Sequence, residues 1–171
     1  PYQTPEFTPT ETGTRLTFDG QTYDVKIFGS HNLQNLMGAM SVGQQMGIQP
    51  AAFLSAMHDF TGAGKRLQKV TEDPEFVMYK DFAHSPSKVA ATTKAVKEQY
   101  PNRTLIACLE LHTYSSLNAE FLKEYEGALE YADVAVVFYS PDAVKIKQLE
   151  EVTYEQIAQA FNRKDLIIYS W

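Results

Sequence analysis

The alternation of strand and helix patterns in the second half of the chain constrains its fold more than any other feature. Four short apolar runs there have the length of buried strands, at 76–82, 105–109, 134–138 and 166–169. Three stretches between them carry apolar residues at helical spacing, at 86–100, 119–131 and 153–161. Strands that alternate with helices favour a parallel sheet joined by helical crossovers. We therefore predict an α/β fold with a mostly parallel sheet flanked by helices.

The first part of the chain predicts a β-hairpin. Asp19 and Gly20 stand between two alternating runs, at 15–18 and 22–28. An Asp-Gly pair in that position is a strong hairpin signal, because both central residues of the turn need a positive φ. We expect residues 1–13, which are rich in proline and threonine, to form an extended lead-in.

Two helices are predicted after the hairpin. The first carries apolar residues at helical spacing from Leu33, with Ser30 as a candidate N-cap and Gly47 as the residue after its C-terminal end. The second begins at Pro50, since proline suits the first turn of a helix. A hairpin and two helices are too little for a complete domain. We therefore divide the chain into 1–70 and 71–171, and we expect the second domain to be incomplete.

Composition narrows the classes of function. Lys and Arg number 15 against 21 Asp and Glu, which gives a formal net charge of -6 and does not favour a surface for nucleic acid or anionic lipid. The single cysteine, Cys108, can form neither an internal disulfide nor a CxxC metal site. No apolar run approaches the roughly 20 residues that span a bilayer. We expect a cytoplasmic protein with neither nucleic-acid nor membrane partners.

The basic turn at 62–66, GAGKR, resembles part of a phosphate-binding loop but fails on spacing. That loop needs a glycine where this chain has Asp59, and a serine or threonine where it has Arg66. Lys65 and Arg66 can still meet phosphate as point charges. The alternative is a solvated basic turn without a ligand.

The segment DFAHSP at 81–86 lies where ligands bind in open α/β sheets, beyond the carboxyl end of a predicted strand. Asp81 can accept hydrogen bonds from ribose hydroxyls, and His84 can donate one to a phosphate oxygen. The alternative is that Asp81 and Ser85 only cap the following helix, and that His84 is a surface residue.

Two further polar clusters are candidates for binding. Glu110 and His112 follow the next predicted strand, so they and the 81–86 segment would converge on one crevice. Asn32 and Asn35 share a helix face, and their amides offer the donor and acceptor that an adenine edge needs. A polar loop and ordinary helix capping are the respective alternatives.

Metal and hydrolase chemistry are not favoured. The four histidines, His31, His58, His84 and His112, form no HxxxH, HxH or HExxH pattern. A composite site from Asp81, His84, Glu110 and His112 is the remaining metal hypothesis, and we assign no metal ligand in this chain. There is no GxSxG motif for a serine nucleophile.

The order of these segments is more specific than any one of them. A G-x-H-N-x-x-N helix start at 29–35, a G-x-x-x-R turn at 62–66 and a D-[YF]-A-H-x-P loop at 81–86 follow one another. This succession resembles the Mur ligase superfamily, and the resemblance covers roughly residues 25 to 170. It implies a three-domain enzyme in which this chain matches the end of the central ATP-binding domain and much of a Rossmann-like C-terminal domain. Since the phosphate loop lies outside this chain, we expect the fragment alone to be inactive.

Within that superfamily the chain most resembles murein peptide ligase, which joins L-Ala-γ-D-Glu-meso-diaminopimelate to UDP-N-acetylmuramate. Phe82, the basic run at 65–67 and Glu110 point that way, whereas the Pro-Arg pair usual in that enzyme is replaced by Leu111-His112. UDP-N-acetylmuramate–L-alanine ligase is the alternative. It typically has glutamine in place of Glu110, and arginines where this chain has Thr113 and Ser116. Folylpolyglutamate synthase and a non-catalytic nucleotide-binding module are further alternatives.

The resemblance also implies roles for individual residues. ATP would activate a carboxylate as an acyl phosphate, which an amine then attacks, with Mg²⁺ held by residues outside this fragment. His31, Asn32 and Asn35 would lie at the adenine, Arg66 at the nucleotide phosphates and Asp81 at the ribose. His84 would be catalytic, near the phosphate end. Glu110, His112 and Ser116 would lie near the incoming peptide or amino acid. The partners would be UDP-N-acetylmuramate, that amine and the remaining domains of the same enzyme.

Overall fold

The computed structural model describes residues 2–150 and 152–170 and divides into two compact units. The first unit ends at Phe82 and the second begins at Ala83. The division proposed from sequence lies earlier, between residues 70 and 71. Residues 71–82 group with the first unit because strand β5 (Val77–Lys80) pairs with strand β4 (Gln68–Glu72).

The first unit contains a three-stranded antiparallel sheet of β1 (Glu6–Thr10), β2 (Gly13–Phe18) and β3 (Gln21–Val25). The hairpin predicted at Asp19-Gly20 is confirmed, with φ of 49° and 74° at the two turn residues. The lead-in expected over 1–13 is extended in strand β1, and the sequence did not indicate that β1 pairs along its whole length with β2. Pro9 is tolerated there because β1 is an edge strand.

Helices α1 (Ser30–Gln45) and α2 (Pro50–Ala56) follow, and a single 3-10 turn spans Met57–Asp59. The predicted C-terminal role of Gly47 is confirmed: its φ is 85°, and the Ile48 amide donates to the Gly43 carbonyl at 2.9 Å. The N-cap of α1 is Gly29, so the assignment of that role to Ser30 is wrong. The inner faces of the sheet and of both helices share one core, which includes Leu16, Leu33, Leu36 and Leu54.

The run at 76–82 is not the first strand of the parallel sheet. It supplies β5, which pairs antiparallel with β4 in a separate two-stranded sheet. Along β5, half-buried Val77 and Tyr79 alternate with exposed Met78 and Lys80. That alternation belongs to a strand with one covered face.

The second unit carries the predicted parallel sheet, with three strands in the order β6-β7-β8: β6 (Ile106–Leu111), β7 (Val134–Tyr139) and β8 (Ile167–Ser170). Its helices are α3 (Pro86–Gln99), α4 (Ala119–Leu122), α5 (Pro141–Ile146) and α6 (Tyr154–Phe161). The helix expected over 119–131 is shorter, because a 3-10 turn at Lys123–Tyr125 leads into Gly127 with φ of 73°.

One face of this sheet is covered and forms the core of the second unit. Leu109, Leu111, Ala135 and Val137 point into it, together with Ile157 and Phe161 of α6. Helix α6 begins with a capping box between Thr153 and Gln156. Among the residues described, none of the helices combines the length and apolar character needed to cross a membrane.

Candidate functional site

The start of α1 is fixed by its own main chain. Gly29 adopts φ of 86°, and its carbonyl accepts hydrogen bonds from the Asn32 and Leu33 amides at 3.0 and 3.1 Å. The Asn32 side-chain nitrogen donates to the Phe28 carbonyl at 2.9 Å, so this amide is engaged in holding the corner before the helix. Asn35, one turn further along, is exposed. Of the two asparagines predicted to bind adenine, Asn35 is therefore the one that presents its amide to solvent.

His31 lies beside these residues with a buried ring nitrogen. Its Nδ1 has no hydrogen-bond partner among the described residues. Burial lowers the pKa of His31, and this outweighs the opposing effect of the Asp81 carboxylate. The imidazole is therefore neutral at pH 7. Because buried polar atoms are normally satisfied, this nitrogen calls for a partner from outside the protein, either water or a ligand.

The basic turn is held in place by the segment that contains Asp81. The Leu67 amide donates to Asp81 Oδ2 at 2.9 Å, and the Phe82 amide donates to the Lys65 carbonyl at 3.0 Å. Lys65 and Leu67 adopt positive φ, 59° and 44°, so these bonds hold a backbone conformation that side chains disfavour. The turn leaves Arg66 exposed.

The first unit thus brings together three predicted segments that are far apart in sequence. The turn of Arg66 is bonded to Asp81, and Asp81 is close enough to His31 for its charge to act on that ring. A neutral imidazole, an exposed amide and an exposed guanidinium fit the polar edge and the anionic end of a nucleotide. The bond from Leu67 to Asp81 gives this carboxylate a structural role that no local sequence pattern indicated.

The second unit brings the other two predicted segments together. The rings of His84 and His112 meet edge to face, with centroids 6.2 Å apart and an interplanar angle of 65°. His112 Nδ1 lies 3.3 Å from the Glu110 carbonyl oxygen. Glu110 itself is exposed, because it alternates along β6 with Leu109 and Leu111, which face the core.

Ser116 is a turn residue in this structure. It is 1% exposed, and its hydroxyl accepts hydrogen bonds from the Thr113 amide and hydroxyl, both at 2.9 Å. The turn that Ser116 closes follows His112 directly. That Ser116 lies near the incoming peptide stays a prediction.

The part of the chain that the structure describes contains no group of three His, Cys, Asp or Glu side chains that could hold a metal ion. The hypothesis of a composite metal site at Asp81, His84, Glu110 and His112 therefore gains no support. That the Mg²⁺ ligands lie outside this fragment stays a prediction.

Comparison with known sequences gives a consistent set of relatives. UDP-N-acetylmuramate–L-alanine ligase of Microcystis aeruginosa is 34% identical over 143 residues, which cover 80% of this chain and 29% of that protein. The chain spans between 20% and 29% of the length of such curated relatives. No protein-family profile matches the chain.

Comparison with solved structures gives the same fold. UDP-N-acetylmuramate–alanine ligase MurC of Thermotoga maritima superposes with a TM-score of 0.72 at 19% identity, over 97% of this chain and 36% of that one. A murein peptide ligase of Psychrobacter arcticus superposes with a TM-score of 0.57 at 17% identity, over 94% of this chain and 34% of that one.

Proposed function

We propose that this chain, which its sequence relatives show to be a member of the Mur ligase family, is part of an ATP-dependent amide ligase of peptidoglycan synthesis or recycling. The ligase joins an amine to the carboxylate of UDP-N-acetylmuramate. One observation carries the proposal: the Leu67 amide bonded to Asp81 closes the turn of Arg66 beside His31, so the family's successive motifs meet in space.

The residues of the first unit bind the nucleotide in this proposal. Asn35 and His31 contact the adenine, and Asn32 holds the start of the helix that carries both of them. Asp81 accepts hydrogen bonds from the ribose hydroxyls, and Arg66 pairs with the phosphates. ATP supplies the phosphoryl group that turns a poor electrophile into an activated carboxylate. The chain's own contribution is to position charged groups around that step, which is how phosphoryl transfer is mainly catalysed.

The residues of the second unit act on the acyl and amine side. His84 is the catalytic residue of this chain, donating to a phosphate oxygen, and its neighbour His112 lies with Glu110 near the incoming amine. The fragment alone is inactive in this proposal, because the phosphate loop and the Mg²⁺ ligands lie elsewhere in the protein.

For the amine we propose L-Ala-γ-D-Glu-meso-diaminopimelate. The exposed carboxylate of Glu110 can meet the distal ammonium group of diaminopimelate. The turn at 113–116 offers only hydroxyl and phenol groups, so it has no guanidinium fork for the carboxylate of a single amino acid. A long peptide can distribute its binding over several weaker contacts.

L-Alanine is the second candidate, and a specific observation favours it. The curated relative from Microcystis aeruginosa, which is 34% identical, is named for that amine. The sequence identity of 34% leaves room for a change in the few side chains that select the amine.

A ligase assay on the complete protein tests the class of reaction. UDP-N-acetylmuramate, ATP, Mg²⁺ and each amine are supplied in turn, and product mass and ADP release are followed together. We expect ADP and amide in equal amounts from the complete protein and none above background from this 171-residue chain. Turnover by the chain alone, or ADP release without amide, would refute the proposal.

A further inference from the structure

A buried tyrosine is hydrogen-bonded to the main chain of His84 in the second unit. Tyr125 is 0% exposed, and its ring stacks on Phe161 with centroids 5.2 Å apart and meets Phe121 edge to face at 6.2 Å. Its hydroxyl donates a hydrogen bond to the main-chain carbonyl of His84. Burial raises the pKa of the phenol to about 12, so the hydroxyl keeps the proton that it donates.

The His84 carbonyl lies 41 residues from Tyr125 in sequence, so this hydrogen bond ties a distant loop to the core of the unit. The turn after His112 is closed by its own hydrogen bonds. The Thr113 amide donates to the Ser116 hydroxyl at 2.9 Å, and that hydroxyl donates to the Thr113 carbonyl at 3.2 Å.

This connection matters because the two loops place neighbouring rings. His84 and His112 meet edge to face at 6.2 Å, in a geometry that depends on both backbones. The tyrosine ring packs against two aromatic side chains, so its hydroxyl is held in one position relative to the sheet. The hydrogen bond from this hydroxyl therefore restricts the movement of the His84 carbonyl.

We propose that Tyr125 is a positioning residue: its hydroxyl sets the relative placement of the His84 and His112 imidazoles. The catalytic importance of this placement rests on the function proposed above. The placement itself is a structural claim that does not depend on that function. Nothing in the sequence pattern marks this role, since Tyr125 occupies an ordinary inner-face position of a helical stretch.

Tyr125→Phe tests the placement, because phenylalanine keeps the ring stack and removes only the hydroxyl. The chain has four histidines, so their ring carbon–proton NMR signals can be assigned individually. We expect the signals of His84 and His112 to shift and those of His31 and His58 to stay. Tyr131→Phe removes a hydroxyl elsewhere in the same unit, and it should leave the signals of His84 and His112 unshifted.

A general loosening of the core could also move these signals, and Ile157→Val controls for that. Ile157 is 0% exposed in the same core, and its truncation weakens packing while leaving the phenol in place. If Tyr125→Phe leaves both histidine signals unmoved, or if Ile157→Val moves them as far, the inference is overturned.

The catalytic consequence is measured separately on the complete ligase. We expect Tyr125→Phe to lower kcat about tenfold while KM for ATP changes less than about twofold, as misplaced catalytic groups do. If the histidine signals shift and kcat stays normal, the positioning role stands and the assignment of His84 and His112 to the reaction fails. If kcat falls while the histidine signals stay in place, the positioning role fails and the assignment of His84 and His112 to the reaction is unaffected.

Discussion

Asp81 and Asp133 accept the same kind of hydrogen bond in two regions that otherwise differ. Asp81 Oδ2 accepts from the Leu67 amide at 2.9 Å, and Asp133 Oδ2 accepts from the Leu105 amide at 2.7 Å. Each carboxylate thus holds in place a loop that is distant from it in sequence. The hydrogen bond alone does not reveal which aspartate belongs to a functional site.

Their surroundings separate the two. Lys97 Nζ donates to Asp133 Oδ2 at 2.7 Å, and Arg163 donates to the Asp133 carbonyl at 3.3 Å, so cations of the same unit match this charge. The surroundings of Asp81 include a neutral imidazole with a buried nitrogen that needs a partner, and an exposed arginine on the turn that it closes. These surroundings are the reason that we propose a nucleotide-binding role for Asp81 and a structural role for Asp133.

The largest effect that we expect distinguishes these two aspartates in the complete enzyme. Asp81→Asn should lower kcat/KM for ATP roughly 10- to 150-fold, because a charge-assisted hydrogen bond to ribose contributes about 1.5–3 kcal/mol. Tm should change little, since the asparagine oxygen can still accept from the Leu67 amide. Steady-state kinetics and thermal unfolding measure both quantities.

Asp133→Asn is the matched control for that experiment. It should leave kcat/KM within about twofold once corrected for the folded fraction. Normal kinetics with a lowered Tm in Asp81→Asn would contradict the functional assignment and leave this carboxylate a purely structural role.

The second effect is on stability, and it depends on pH. The hydrogen bond from Lys97, followed by that from the Leu105 amide, holds the pKa of Asp133 below its usual value. A depressed carboxyl pKa stabilises the fold above the unfolded-state value, about 3.9, and this contribution is lost as the pH falls through the folded-state pKa. Asp133→Asn should therefore lower Tm at pH 7 and lose its effect under acid conditions.

Lys97→Met isolates the ion pair within that effect. The Tm losses of Lys97→Met and Asp133→Asn should not add in the double variant, because both remove one shared interaction. A Tm difference for Asp133→Asn that stayed constant from neutral to strongly acid pH would show that charge is not involved.

The smallest effect concerns His31. Because burial lowers its pKa and the Asp81 charge opposes that change, the NMR titration midpoint should lie below about 6.5 and fall further in Asp81→Asn. A group with a depressed imidazole pKa destabilises the fold as the pH drops through the unfolded-state value, so Tm should decrease in that range. A midpoint that stays unchanged in Asp81→Asn would show that the two groups are too far apart to interact.

Local signals allowed much of the fold to be predicted. The Asp19-Gly20 turn and the start of α2 at Pro50 each follow from residue types within a few positions. The parallel sheet of β6 and β7 was predicted from the alternation of strand and helix patterns along the second half of the chain. Other pairings could not be predicted from either signal. Strand β1 and the β4–β5 pair depend on partners that no short pattern identifies.

The candidate site shows the same limit. The predicted proximity of His84 and His112 is confirmed, but its stated reason was wrong, because the 76–82 run is not a strand of the parallel sheet. The bond between Leu67 and Asp81 depends on positive φ at two non-glycine residues, a conformation that their sequence gives no reason to expect. Ser116 was placed near the incoming peptide by the family resemblance alone, and only the structure shows that it is buried and closes the turn.

The central claim is that the complete protein joins a murein peptide to UDP-N-acetylmuramate, and competition between amines tests it most directly. Tripeptide and L-alanine are offered together at several concentrations, and the products are distinguished by mass. We predict that kcat/KM for the tripeptide exceeds that for L-alanine by at least about tenfold, or about 1.4 kcal/mol in the transition state. Preference for L-alanine would contradict the choice of amine and leave the nucleotide site intact, and glutamate addition to a folate would contradict the peptidoglycan substrate altogether.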